Sequence, residues 1–266
     1  MSVNTTSSDA AEDAQREIPA VSEDSDSGPA SSADFWSHVL PYVFFLVVVQ
    51  FRGASLGSVT LPPMLVSIAS SLIPLATIAY FALRRSYPEL KPSRPSWGWL
   101  PVDMLLGAVS GLAWMAPYLL FPSLRPDELA GTMNANSDPF AWIARGVTFV
   151  LAVPILEELF IRSFVMRQAD VGPSDSSFRS IELARFTLRS FLVTVVVFTI
   201  THQVWEWWVA IPWVMATNLW FYFRRSLWSI IVAHAMANLT ILLSVAWVQG
   251  KITDATGKAV DIWFFL

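Results

Sequence analysis

The sequence predicts an all-α, polytopic membrane protein of about seven transmembrane helices around a buried polar cavity. Three observations predict this class. The chain is 54% hydrophobic and 14% charged, whereas soluble domains run at about 45–50% and about 25%. Apolar segments of near membrane-crossing length recur from residue 35 to residue 248. Lysine and arginine collect at alternate segment ends.

Residues 1–34 are rich in Ser, Asp, Glu and Ala, with Arg16 the only basic residue. Such a stretch buries too little apolar surface to offset its ordering entropy, so it is expected to be a disordered acidic tail. It lacks the basic and then apolar pattern of a cleaved signal peptide. The net charge of −4 says little about the rest of the chain, since this tail alone holds eight of the 21 acidic residues and one of the 17 basic ones.

The apolar segments are 35–51, 59–83, 101–121, 140–161, 190–211, 212–223 and 227–248, followed by a short C-terminal tail over 251–266. A span needs about 20 residues to cross about 30 Å of hydrocarbon, so five are comfortable and two are short. Pro212 is taken to divide the fifth from the sixth. Basic residues follow the second segment (Arg84, Arg85, Lys91, Arg94), the fourth (Arg167, Arg179, Arg185, Arg189) and the sixth (Arg224, Arg225). By the positive-inside rule this fits a cytoplasmic N-terminus and seven crossings. Nothing in the charge pattern suggests nucleic acid; the expected surroundings are the lipid bilayer.

The fourth segment carries Pro154-Ile-Leu-Glu157-Glu158-Leu-Phe-Ile-Arg162. A charged side chain at mid-bilayer costs roughly 2.5–3.5 kcal/mol on insertion scales, so these charges need partners or a task. Glu158 and Arg162 lie four apart, one helical turn, and are expected to pair. Glu157 points about 100° away and is left for other work. Two later stretches can join it: Phe198-Thr-Ile-Thr-His202, and His234-Ala-Met-Ala-Asn238, whose ends are again four apart.

These residues suit amide hydrolysis, which needs a base for water and donors for the oxyanion. Glu157 is the candidate base, with His202 sharing the water and His234 and Asn238 as donors. One carboxylate and two imidazoles, Glu157, His202 and His234, also make a ligand set for Zn²⁺ or a similar ion, with Glu158 then as base. The residues leave both schemes open. Also open are a non-catalytic scaffold or immunity-type partner that uses the cluster for helix association, and a proton or ion relay. From segment lengths alone, the cluster is expected in the cytoplasmic half of the bilayer. No His-Glu-x-x-His, aspartyl pair or Gly-x-Ser-x-Gly elbow is present, and the absence of cysteine excludes thiol catalysis.

Other polar positions have plainer readings. Gly107-Ala-Val-Ser110-Gly111 reads as close helix packing. His38 is expected at the interface, Glu206 in an aromatic belt with Trp205, Trp207 and Trp208, and Asn218 against a neighbouring helix. Pro154 is expected to kink its helix.

Glu157-Glu158-x-x-x-Arg162, Phe198-x-x-x-His202 and His234-x-x-x-Asn238, in this order on separate apolar segments, resemble the CAAX-protease and bacteriocin-processing family of intramembrane endopeptidases. The general build is similar to the bacterial CAAX prenyl protease-related proteins that accompany exosortase systems. The resemblance covers about residues 140–240 and implies a helical membrane protease domain over 35–250. It implies a glutamate-dependent site with Glu157 activating water, His202 assisting, His234 and Asn238 at the oxyanion, and Glu158 and Arg162 structural.

Overall fold

The computed structural model describes residues 32–50, 55–56, 59–60, 63–91, 97–126, 139–175, 177–248, 250–253 and 262–266. Most of the expected acidic tail, residues 1–31, lies outside them. Its last three residues do not: Ser32–Asp34 open helix α1, Ser32–Val49, and Asp34 accepts from Arg179 Nε at 2.7 Å. A charge partner 145 residues away gives the acidic stretch an ordered end.

Among the described residues six further helices follow: α2, Pro63–Leu83; α3, Leu100–Leu120; α4, the unbroken helical run 139–168; α5, Leu188–Ile200; α6, Trp207–Arg224; and α7, Leu227–Val248. The architecture is helical, with one two-residue antiparallel ladder, Ser55–Leu56 against Val59–Thr60, between α1 and α2. By length and composition α1, α3 and α7 can each cross a membrane, while Ile68–Leu83 and α5 are shorter apolar stretches. Such helices expose much of their apolar surface, as Leu105, Leu120, Leu219 and Trp247 do here, which suits a hydrocarbon solvent better than water.

Local chemistry sets the ends. Pro101 begins α3, where its missing N–H costs nothing. The Thr187 hydroxyl caps α5 by accepting from Ser190 N. Arg225, at φ 48°, closes α6 with a left-handed turn.

Successive helices alternate in direction. At one end Asp103 at the start of α3 accepts from Arg224 Nε at the end of α6, 3.2 Å, and from Ser229 Oγ at the start of α7, 2.6 Å. At the other, Tyr118 near the end of α3 donates to the Trp205 carbonyl before α6, 2.8 Å. α3 and α7 meet most intimately. A Cβ on Gly107 would lie 2.1 Å from the Ala233 carbonyl oxygen, and one on Gly111 2.5 Å from that of Ala237. This small-residue seam holds the two helices backbone to backbone.

Three expected boundaries move. α4 does not stop at Ile161 but runs on to Gln168, because Arg162 and Arg167 are buried against carboxylates and continue the helix. The fifth segment breaks at Thr201–Gln203, where Gln203 turns extended and the Glu206 carboxylate accepts from its N–H, 2.9 Å. Pro212 therefore divides nothing and sits inside α6, at the cost of one backbone bond. At 13 residues α5 is about 20 Å long, short of a full hydrocarbon crossing. Of the C-terminal tail, Ile262 and Phe265 pack back onto the bundle, with Phe265 edge-on to Tyr118 at 5.6 Å.

Candidate active site

The three motifs sit on α4, at the α5–α6 break and on α7, and their side chains meet. α4 is not a regular helix here. Wide π turns over Val147–Ala152 and Leu159–Val165 flank the α-helical Val153–Glu158. Pro154, which has no N–H to give, follows directly on the first wide turn, so the expected irregularity takes this form. Such turns often mark functional stretches because they re-aim side chains.

Glu158 and Arg162 are fully buried and paired, Nη1 to Oε2 at 3.1 Å. The second guanidinium nitrogen donates to Thr217 Oγ1 at 2.8 Å. The ring faces of Phe198 and Trp213 lie 5.4 and 5.7 Å from the guanidinium carbon. His234 Nδ1 donates to Glu158 Oε1 at 2.8 Å. Glu158 thus ties α4 to α7 and fixes the His234 tautomer.

Glu157 faces elsewhere. It lines a cavity of about 260 Å³ together with His202, His234, Asn238, Trp114, Trp213, Arg145, Gln203, Glu206 and Phe265. His234 Nε2 approaches Glu157 Oε2 at 4.0 Å. His202 Nδ1 donates to the Phe198 carbonyl at 2.8 Å, while its ring packs on the Phe198 ring, centroids 4.3 Å apart. Its Nε2 is then the acceptor nitrogen of the neutral ring. Asn238 Nδ2 donates one hydrogen to the Phe149 carbonyl at 2.7 Å. The amide carries a second.

All six expected site residues are therefore brought together, in two layers: Glu158 and Arg162 in the packed interior, the other four on the cavity. Because α4 continues to Gln168, Glu157 lies about 16 Å from that end at 1.5 Å per residue, and the cavity extends the other way, toward Arg145, Gln203 and Glu206. Among the described residues no three His, Asp or Glu side chains gather closely enough to hold an ion, and this includes Glu157, His202 and His234.

Several contributors carry no signal in the sequence. Thr217 is one hydroxyl in an apolar run, and the Phe149 carbonyl is backbone. Phe198 stands in a motif without showing that its ring supports both Arg162 and His202. Glu206 lines the cavity as well as closing its turn.

Bundle and motifs together define a helical integral membrane protein with a carboxylate, imidazole and amide site in its interior. A family model described as Type II CAAX prenyl endopeptidase Rce1-like matches residues 139–240, which hold all three motifs. Over this stretch the chain is similar to that endopeptidase family, and the likeness points to a protease. Helices α1 to α3 lie outside the match. Comparisons with curated proteins and with solved structures give no significant match.

Proposed function

We propose that the protein is an intramembrane endopeptidase that hydrolyses a peptide bond in a membrane-associated protein or peptide. In this reading the chain crosses a bacterial cytoplasmic membrane seven times, with its N-terminus in the cytoplasm. The observation that carries the proposal is that Glu157, His202, His234 and Asn238 line one cavity within the stretch that matches the endopeptidase family.

Water binds between Glu157 and His202 Nε2. Glu157 takes a proton as the water oxygen attacks the carbonyl carbon. The negative charge that develops on the carbonyl oxygen is met by the second Asn238 amide hydrogen, and by His234 Nε2 when that ring carries its second proton. The C–N bond then breaks, and the proton held by Glu157 passes to the leaving amine. Glu158 and Arg162 touch no reacting atom. They hold the His234 ring and keep α4 in register with α6 and α7.

A scheme with Zn²⁺ or a similar ion on Glu157, His202 and His234 would need these groups to draw closer than they stand.

The test compares wild type with Glu157→Gln, purified in lipid, on co-expressed membrane peptides, with thermal stability and bound metal measured on the same samples. A positioned base is worth about 10²–10⁴ in rate, so turnover should fall by that factor with the fold retained. Undiminished cleavage by Glu157→Gln would sink the mechanism. Stoichiometric metal lost in the variant would replace the water scheme with the metal one. A collapse of stability without cleavage by either protein would favour a scaffold.

A further inference from the structure

The cavity has a direction that the motifs do not reveal. We propose that it takes its substrate from the non-cytoplasmic face of the membrane, so that the substrates are peptide segments lying at or beyond that face. This deepens the protease reading and rests on it.

The bundle has two unlike ends. One gathers the end of α2, the end of α4, the starts of α3, α5 and α7 and the end of α6, and it carries Arg84, Arg85, Lys91, Arg185, Arg189 and Arg225, all exposed. The other gathers the end of α3, the start of α4, the α5–α6 break and the end of α7. Its described basic residues are Arg125, Arg145 and Lys251, and it presents Trp205, Trp207, Trp208 and Trp247. Basic residues concentrate on the cytoplasmic side of membrane proteins, and tryptophans ring the interface. The first end is therefore cytoplasmic.

The cavity belongs to the second end. From Glu157 it runs along α4 to Arg145, twelve residues or about 18 Å toward that end at 1.5 Å per residue. Gln203 and Glu206 of the break and Phe265 complete its outer lining. No residue of the basic loops 84–91, 169–187 or 224–226 lines it. The way from the basic end is filled. Ile161, Arg162 and Ser163 are fully buried below Glu157, and Tyr42 stacks on Phe160 at 4.5 Å. Beyond them Glu89, His38, Ser163 and Arg167 interlock. A peptide can reach Glu157 past Gln203 and Glu206, but from the basic end it would have to open a packed core.

The chain has no cysteine, so single substitutions in the full-length protein report sidedness cleanly. Gln203→Cys, on the exposed turn beside the cavity, and Arg225→Cys, at the basic end, are probed with a membrane-impermeant maleimide in intact cells and in inverted vesicles. The expected result is labelling of position 203 in cells and of position 225 only in inverted vesicles. Protection of position 203 in cells, with reaction after detergent solubilisation, overturns the proposal. Val204→Cys, 71% exposed on the same turn, gives the same readout should the first variant fail to fold. In a second arm one peptide is fused to either flank of a single-span helix. Glu157-dependent cleavage on the external flank alone is expected. Cleavage on the cytoplasmic flank overturns the sidedness and keeps the protease. External labelling with cleavage of neither flank means that the protease reading has failed while the sidedness stands.

Discussion

α4 carries two buried polar clusters less than two turns apart, and they differ in one respect. The first is Glu157 and Glu158 with Arg162, His202, His234 and Asn238. The second is Ser163 and Arg167 with His38, Glu89 and Arg179. The second even contains a serine, a histidine and a glutamate in mutual contact. Yet His38 Nε2 faces both Glu89, at 2.8 Å, and Ser163, at 3.2 Å, while Nδ1 is turned to the Asp34 carbonyl, at 3.0 Å. One ring nitrogen serving both neighbours is not the relay a nucleophilic serine requires, which uses the two nitrogens in series. Nor does any of these side chains line the cavity. His38, Glu89, Ser163 and Arg167 of the second cluster are turned to protein and Arg179 is partly exposed, whereas the first turns one carboxylate, two imidazoles and an amide to an open volume. Residue types make chemistry conceivable; a face left for a ligand makes a site.

The sharpest way to break this contrast is to unbalance the packed half of the first cluster. Glu158→Ala leaves Arg162 buried with Thr217 as its remaining partner. Breaking a buried pair from one side costs about 3–5 kcal/mol. The variant should lose most of its folded yield in detergent, and normal yield and thermal stability would show that Arg162 is satisfied without Glu158.

Gly107→Ala comes next. The added methyl meets backbone rather than a flexible side chain, and overpacking of this kind costs about 1–3 kcal/mol. α7 must shift, taking His234 and Asn238 with it. Turnover should therefore fall more than thermal stability does. An equal loss of both would mean that the two clusters melt as one unit.

The second cluster is separated from the first by pH. Burial alone would raise the Glu89 carboxyl, but the His38 hydrogen bond and charge, the Arg167 charge and the Ser163 hydroxyl outweigh it and hold Glu89 well below the usual carboxylate range. A carboxyl depressed on folding contributes stability above its unfolded value, near 4.5, and loses it as pH falls toward the folded one. Wild type should thus become less stable from about pH 4.5 downward. Glu89→Gln should flatten that decline and lower stability at neutral pH, because Arg167 is left buried without its carboxylate. A variant that melts in parallel with wild type across this range would remove Glu89 from the account.

The first cluster was legible in the sequence and the second was not, for a physical reason. Glu158 and Arg162 announce each other across one helical turn, and His234 and Asn238 do the same. The partners of His38 Nε2 lie 51 and 125 residues away. No local pattern reports them, which is why His38 reads as an interfacial residue and proves fully buried. The same blindness ended α4 too early, since Arg167 looks like the first residue outside a membrane until Glu89 is seen beside it. The break before α6 was hidden differently: Pro212 is the loud signal and a harmless one, while the true break at Thr201–Gln203 is made by a backbone N–H bonded to a glutamate three residues on.

The smallest effect on stability should come from the residue with the largest effect on chemistry. Glu157 is 7% exposed and lies beside Glu158, and the carboxylate–imidazole contact that touches it is long, 4.0 Å to His234 Nε2. Two neighbouring carboxylates repel, and Glu158 is the one held by Arg162 and His234. Replacing Glu157 with Gln keeps the shape, removes the repulsion and leaves both partners of Glu158 in place. Thermal stability should change by no more than about 0.5 kcal/mol, with a rise as natural as a fall. A loss comparable to that of Glu158→Ala would mean that Glu157 is as deeply engaged as its neighbour, and the distinction between a packed carboxylate and a working one would disappear.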